Sequence, residues 1–354
     1  MKTIIFLTIL AMSGLAQGAA PLFESDATLA ISIEAPIREL IRKRASKPEF
    51  DAIVRYTDPS GEVRILNAKL ASRGNARLEA CDFPPLRLEF DPAETAGTPF
   101  EGQRKLKMVT QCNRGSTAES WLFIEYGIYV AYNAISDFSY RVRKLDVTYQ
   151  DSESSRWSRN TPAFFIEATG AAAARLDHDF VRPPEVKTAQ FDAGELTNNL
   201  LFQFLVANTD FAVKRGPSGE GCCHNGRVLA EPGEQDGWIV IPYDFDQAGV
   251  INTDYSLPDE RLGIRNVTNR LYRGFCWQND SLPGVIATFN EKRDTIADAL
   301  IPVEISSSKQ KRIGRFVDRF YEIINDPEEL QKRILDKCRG ATTFAIRKTR
   351  TAGQ

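Results

Sequence analysis

The sequence predicts an α+β protein of two lobes, strand-rich over residues 21–170 and helical over residues 171–340. Three observations lead there. Apolar and polar residues alternate along Leu29-Ala30-Ile31-Ser32-Ile33 and Leu86-Arg87-Leu88-Glu89-Phe90, the period of a strand with one face on a core. Late in the chain, Ile313, Phe316, Val317, Phe320 and Ile324 recur at helical spacing, the stripe of a helix packed on a core. Between these patterns, residues 208–246 carry Asn, Asp and Gly on loops, at the junction where a two-lobed layout places its chemistry.

In chain order, residues 1–20 read as a signal peptide. Lys2 gives a positive start, residues 4–15 an apolar stretch, and Ala16-Gln17-Gly18 or Gly18-Ala19-Ala20 a small-residue cleavage site. The mature protein is therefore expected to begin near Ala19 or Pro21 and to be secreted or periplasmic. No later segment reaches the roughly 18 apolar residues of a membrane helix. Strands are predicted at residues 29–33 and 50–56, with Asp58-Pro59-Ser60-Gly61 as a turn, then at 86–90 and 105–109, where Lys105 and Lys107 share a face. A helix follows over about residues 117–135, with Glu119 in its first turn. Strands return at 140–149 and 163–167, around a polar hairpin tip at 151–160. After Arg182-Pro183-Pro184 come a helix over about residues 193–207, a strand at 238–241, and helices at 283–299, 309–325 and 327–337. Residues 341–354, basic and small, read as a frayed tail.

The formal net charge of −2 gives no sign of a nucleic-acid binder. Six cysteines, an even number, suit an oxidising compartment. Cys81–Cys112 and Cys276–Cys338 are the expected bridges, because each pair brackets its own half of the chain. Cys222 and Cys223 are left as a vicinal pair or as thiols. With no CxxC motif and only His178 and His224 available, the pattern argues against a structural zinc site.

The chemistry concentrates in one stretch. The apolar run Leu200-Leu201-Phe202-Gln203-Phe204-Leu205-Val206 breaks into Asn208-Thr209-Asp210. A Gly-rich loop leads to His224-Asn225, and a hydrophobic strand ends in Pro242-Tyr243-Asp244-Phe245-Asp246. Brought together, these groups supply hard oxygen ligands for a divalent cation and a carboxylate to orient a nucleophile. Asp and Asn also cap helices and make turns, so a purely structural reading stands beside the chemical one.

The same pieces, together with Arg73-Gly74-Asn75, Arg141-Val142-Arg143 and Phe164-Phe165-Ile166-Glu167, resemble in order the CotH-type kinases, the spore-coat-protein-H-like branch of the protein-kinase-like fold. The resemblance implies a kinase-like pair of lobes and ATP-dependent phosphoryl transfer to hydroxyls with Mg²⁺ or Mn²⁺. Two features depart from the pattern: no Gly-rich GxGxxG loop is present, and a long insert separates Asp210 from Asn225.

Under this reading Asp210 is the catalytic carboxylate that orients the acceptor. Asn225 and Asp244 hold the metal, and Asp246 is a second ligand or orients the turn at Gly249. Lys105 or Lys107 binds the nucleotide's phosphates, with Glu119 or Glu125 as ion-pair partner and Arg73 or Arg87 as the fallback. His224 is read as structural. Arg265, Arg270 and Arg273 are expected to form ion pairs with the acidic stretch 254–260, an anionic substrate being the alternative. The expected protein is an exported phosphotransferase with a nucleotide and a protein or small-molecule acceptor as partners. Two other readings remain: a metal-dependent glycosyltransferase using the Asp-x-Asp strand end, and a non-catalytic exported scaffold.

Overall fold

A computed structural model describes residues 21–217 and 219–340. The predicted signal peptide and C-terminal tail lie outside the described residues.

The first half is built on period-two strands: β1 (Leu29–Ala35), β2 (Phe50–Thr57), β3 (Val63–Ser72), β4 (Leu86–Phe90), β5 (Lys105–Thr110), β6 (Val142–Asp151) and β7 (Ser154–Ile166). Their inward residues, among them Ile33, Val54, Leu70, Leu88, Leu106, Val147 and Phe165, are completely buried. Each stabilises the fold by about 1.5–3 kcal/mol relative to exposure. The strands close into a barrel in the order β1-β2-β3-β4-β5-β7-β6. Closure comes from β1 pairing parallel with β6, from Leu29 opposite Leu145 to Ala35 opposite Asp151, which leaves no open sheet edge.

The barrel corrects the expected fold. The chain is mixed α+β, but a closed seven-stranded barrel is not the two-lobed, protein-kinase-like arrangement. Alternation states which face of a strand turns inward. It does not state which distant strand will cover the edge of β1, and that pairing decides between an open sheet and a barrel. The polar hairpin tip expected at 151–160 is also mostly strand, with Tyr149 opposite Arg159 and Thr148 opposite Asn160. Ser155, Arg156, Ser158 and Asn160 are exposed, so a solvated strand extension had the composition of a loop.

Short helices link the strands: α1 (Ile37–Arg42) after β1, α2 (Ala76–Ala80) after β3 and α3 (Pro92–Thr95) after β4. The long α4 (Ser116–Asn133) joins β5 to β6. Beyond the barrel come α5 (Thr169–Arg175) and α6 (Ala193–Leu205). A three-stranded sheet consists of β8 (Asp179–Val181), β9 (Gly226–Ala230) and β10 (Ile239–Pro242), with β9 central. The predicted helix 283–299 is divided into α7 (Leu282–Glu291) and α8 (Arg293–Leu300), followed by α9 (Ser307–Asn325) and α10 (Pro327–Arg333). Ile124 and Ile128 of α4 share one core with Leu201, Phe202, Phe245, Ile296 and Phe320. Gly127 lets α4 approach α8, since a Cβ there would meet the Ala299 carbonyl oxygen at 2.1 Å.

Cys81–Cys112 and Cys276–Cys338 are bonded as expected, with Cα separations of 4.7 and 5.0 Å, and Cys222 is bonded to Cys223. Among the described residues no helix is long and apolar enough to cross a membrane.

Candidate functional site

Asp210 sits just past α6, where Ala207 turns the chain at φ 51°. Asn208 Oδ1 accepts the Asp210 N–H at 3.0 Å. Arg273 Nη1 donates to the carbonyls of Thr209 and Phe211, 2.7 Å each, and so clamps the backbone on both sides of Asp210. The Asp210 carboxylate accepts from His224 Nε2 at 2.9 Å, Asn225 Nδ2 at 3.0 Å and Gln247 Nε2 at 2.8 Å. Its bond to His224 is the main reason the imidazole pKa is raised above its ordinary value, with burial opposing.

The chain returns to the same place twice. Asn225 leads into β9 at φ 48°, and Asp244 follows β10 at φ 62°. Tyr129 of α4 accepts the Asp244 N–H at 2.9 Å, which fixes this left-handed turn from the helix side. Because the strand ends at Pro242, Asp244 and Asp246 do not share a face through strand alternation. Asp246 turns instead to Arg77 of α2, whose Nε lies 2.9 Å from its carboxylate. Arg77 Nη2 also donates to both oxygens of Glu125 on α4, at 2.7 Å each. All three side chains are nearly inaccessible. Burial pushes both carboxyls up, and the Arg77 charge opposes it. The Cys81–Cys112 bridge links the end of α2 to the segment before α4, tethering the two helices that supply this pair.

These elements enclose a cavity of 360 Å³ walled by Asp210, Asn225, Asp244 and Asp246 and by the cations Lys47, Arg73, Arg77 and Arg227. Lys107 of β5 packs its Nζ 4.3 Å from the centre of the Tyr243 ring. Burial pulls its pKa down to about 7, helped by the like charges of Arg73 and Arg227 and opposed by Asp244. A second cavity, of 740 Å³, shares Asp210, Pro217 and His224 with the first. It continues past Phe211, Leu257, Leu262 and Arg273.

Of the residues singled out in the sequence, Arg73, Asp210, Asn225, Asp244 and Asp246 line the first cavity. Lys105, Lys107 and Glu119 do not: Lys105 pairs with Glu89 at 3.0 Å, Lys107 packs on the ring of the lining residue Tyr243, and Glu119 lies half-buried in the first turn of α4. Glu125, expected to meet a strand lysine, meets Arg77, and Arg87 pairs with Glu49. Arg270 and Arg273 bond backbone carbonyls rather than the acidic stretch 254–260. Arg77, Arg227 and Gln247 join the site without being expected from the sequence, and His224, read above as structural, bonds the Asp210 carboxylate. Arg77 did carry a signal, as a cation on a short segment ending in a bridged cysteine, just after the Arg73-Gly74-Asn75 loop.

The donor set fits a hard cation only with a ligand's help. Among the described residues no three His, Cys, Asp or Glu side chains form a ready metal cluster. The Asp244 carboxylate accepts no hydrogen bond from a described residue. The Asn225 amide nitrogen is committed to Asp210, which turns its carbonyl oxygen away from that contact. One carboxylate and one amide oxygen suit Mg²⁺ or Mn²⁺ when phosphate oxygens and water complete the shell. Comparison with family models, curated proteins and solved structures returns no match for this chain.

Proposed function

We propose that the chain is an exported phosphotransferase that moves a phosphoryl group from a nucleotide to a hydroxyl acceptor. One observation carries the reading: Asp210 and His224 form part of the wall common to two cavities. The cation-lined cavity suits a nucleotide's phosphates, and its larger neighbour gives an acceptor access to the same carboxylate. Phosphoryl transfer asks a protein mainly for positioning and charge compensation.

Arg73, Arg227 and Lys47 are the cations that would meet the phosphates, and Lys107 would gain a proton as negative charge arrives. Asp244 and the Asn225 amide oxygen would hold a divalent cation, whose contribution is to neutralise charge on the phosphate oxygens. Asp210, positioned by three side-chain donors and the Arg273 clamp, would orient the acceptor hydroxyl. Arg77 and Glu125 hold Asp246 in place. Export is supported by the signal-peptide pattern and by cysteines that are all bridged among the described residues.

The test is thermal stabilisation of the mature protein by ATP with Mg²⁺ or Mn²⁺, followed by radiolabel transfer. Asp244→Ala is expected to abolish metal-dependent stabilisation. Asp210→Ala is expected to keep it and to lower turnover by about 10²–10⁴-fold. A melting point unmoved by any nucleotide–metal pair overturns the proposal. Stabilisation by a uridine-diphosphate sugar alone would favour a glycosyltransferase instead.

A further inference from the structure

A third cavity, of 720 Å³, opens where residues 263–272 meet α9 and α10. Its charged lining residues are Arg265, Arg270, Arg319, Lys332, Arg333 and Lys337, and no described carboxylate joins them. Among the described residues, Arg319 alone of the six has ion-pair partners, Glu322 at 2.9 Å and Glu329. Residues outside the described set contain no Asp or Glu, so no acidic side chain from there can neutralise the rest. Six like charges around one hollow repel one another, and a bound anion relieves that repulsion.

One of these cations is locked in place. Arg270 Nε donates to the carbonyls of Phe204 and Leu205 at 3.1 and 3.2 Å. Its Nη2 reaches the carbonyls of Leu205 and Phe316, and the guanidinium lies 3.8 Å from the centre of the Phe316 ring. Burial, then the like charges of Arg333 and Arg319, lower its pKa to about 9. The other cations, on loop and helix, face the same space. Four of the six are arginines, whose planar forks match phosphate oxygens two at a time.

We infer that this cavity binds a compact polyanion with clustered phosphate groups, independently of the proposed phosphotransfer site. The clustered phosphates could belong to a free polyphosphate or to a lipid headgroup, and the recognising chemistry is the same for both. Neither Asp210 nor Asp244 lines this cavity, so the two sites are separable by mutation.

The experiment titrates the mature protein with inorganic tripolyphosphate by calorimetry. In parallel, it is floated with phosphatidylcholine vesicles containing diphosphatidylglycerol. The variant replaces Lys332, Arg333 and Lys337 by Gln, leaving Arg270 and its carbonyl contacts intact. Expected is binding of tripolyphosphate or of the anionic vesicles by the native protein, weakened roughly tenfold or more in the variant, with a shallower salt dependence. The ligand-free variant should melt no lower than the native protein, because repulsion has been removed. Asp244→Ala should leave this binding unchanged. Binding of vesicles alone identifies a lipid headgroup as the source, and binding of tripolyphosphate alone a free polyphosphate. The inference is overturned if neither probe binds, if a folded triple variant binds as tightly as the native chain, or if Asp244→Ala removes the binding.

Discussion

The barrel packs Ile33, Val54, Leu70, Leu88, Leu106 and Phe165 against one another, whereas the wall of the 360 Å³ cavity buries Arg77 against Glu125 and Asp246. The backbone differs as well. None of the non-glycine residues found at positive φ lies in a barrel strand, while Lys47, Asn225 and Asp244 line the cavity and Ala207 turns the chain just before Asp210, at φ between 48° and 62°. The cost is on the order of 1–2 kcal/mol at Ala207 and Lys47 and smaller at Asn225 and Asp244, whose short polar side chains tolerate this region. Strand propensity, side-chain alternation and apolar burial agree in the barrel. At the cavity, buried charge and left-handed turns oppose local preference and persist because surrounding contacts over-determine them. That conflict is what a site of chemistry would be expected to show.

The largest effect should come from splitting the buried ion cluster. Arg77→Met leaves two buried carboxylates without their cation and is expected to cost about 3–5 kcal/mol in urea unfolding. Phe165→Ala should cost a similar amount by opening a cavity in the barrel. The two should part on rescue: Glu125→Gln with Asp246→Asn should restore much of the loss in Arg77→Met and nothing in Phe165→Ala. Equal responses to the rescue pair would show that buried charge does not set the cavity wall apart from the barrel.

Smaller effects should follow at the turns. Ala207→Gly relieves a left-handed alanine, and because glycine also loses more entropy on folding, the net gain should be a few tenths to about 1 kcal/mol. Gly249→Ala, in the neighbouring loop, should destabilise instead, since its Cβ would lie 2.1 Å from the Val267 carbonyl oxygen. Thermal melts of both variants should be read against Ala30→Gly at an exposed position of β1, which is expected to destabilise where Ala207→Gly stabilises.

The smallest effects are in pH dependence. The folded-state pKa of His224 is raised by its bond to Asp210, so its contribution is complete below the ordinary histidine value of about 6.5. It is lost as pH rises through the raised value. His224→Gln should flatten stability across that window while leaving the acid limb alone. Burial, then the like charges of Arg73 and Arg227, pull the Lys107 pKa down to about 7. An anion in the neighbouring cavity should raise that pKa, so under the proposed function nucleotide binding should take up a proton and weaken as pH rises above about 7. Calorimetry in buffers of different ionisation enthalpy measures the uptake, which Lys107→Met should reduce, leaving the share taken by His224.

The local elements and the chemical types at the site are legible in the amino-acid order. Alternation marked segments of β1, β2, β4 and β5, helical spacing marked α9, and loop composition singled out Asp210, Asn225, Asp244 and Asp246, which line one cavity. The bridges Cys81–Cys112 and Cys276–Cys338 were accessible too, because each stays within one half of the chain. The rest comes from contacts between segments far apart in the chain. Barrel closure depends on β1 meeting β6 across most of the first half of the chain. The choice of Arg77 over Lys105 as the partner of a buried glutamate depends on two helices tied together by a disulfide. The pairing of His224 with Asp210 depends on two loops converging from either side of an insert. Periodicity records how a segment meets its immediate surroundings, and a partner far along the chain leaves no trace in that local pattern.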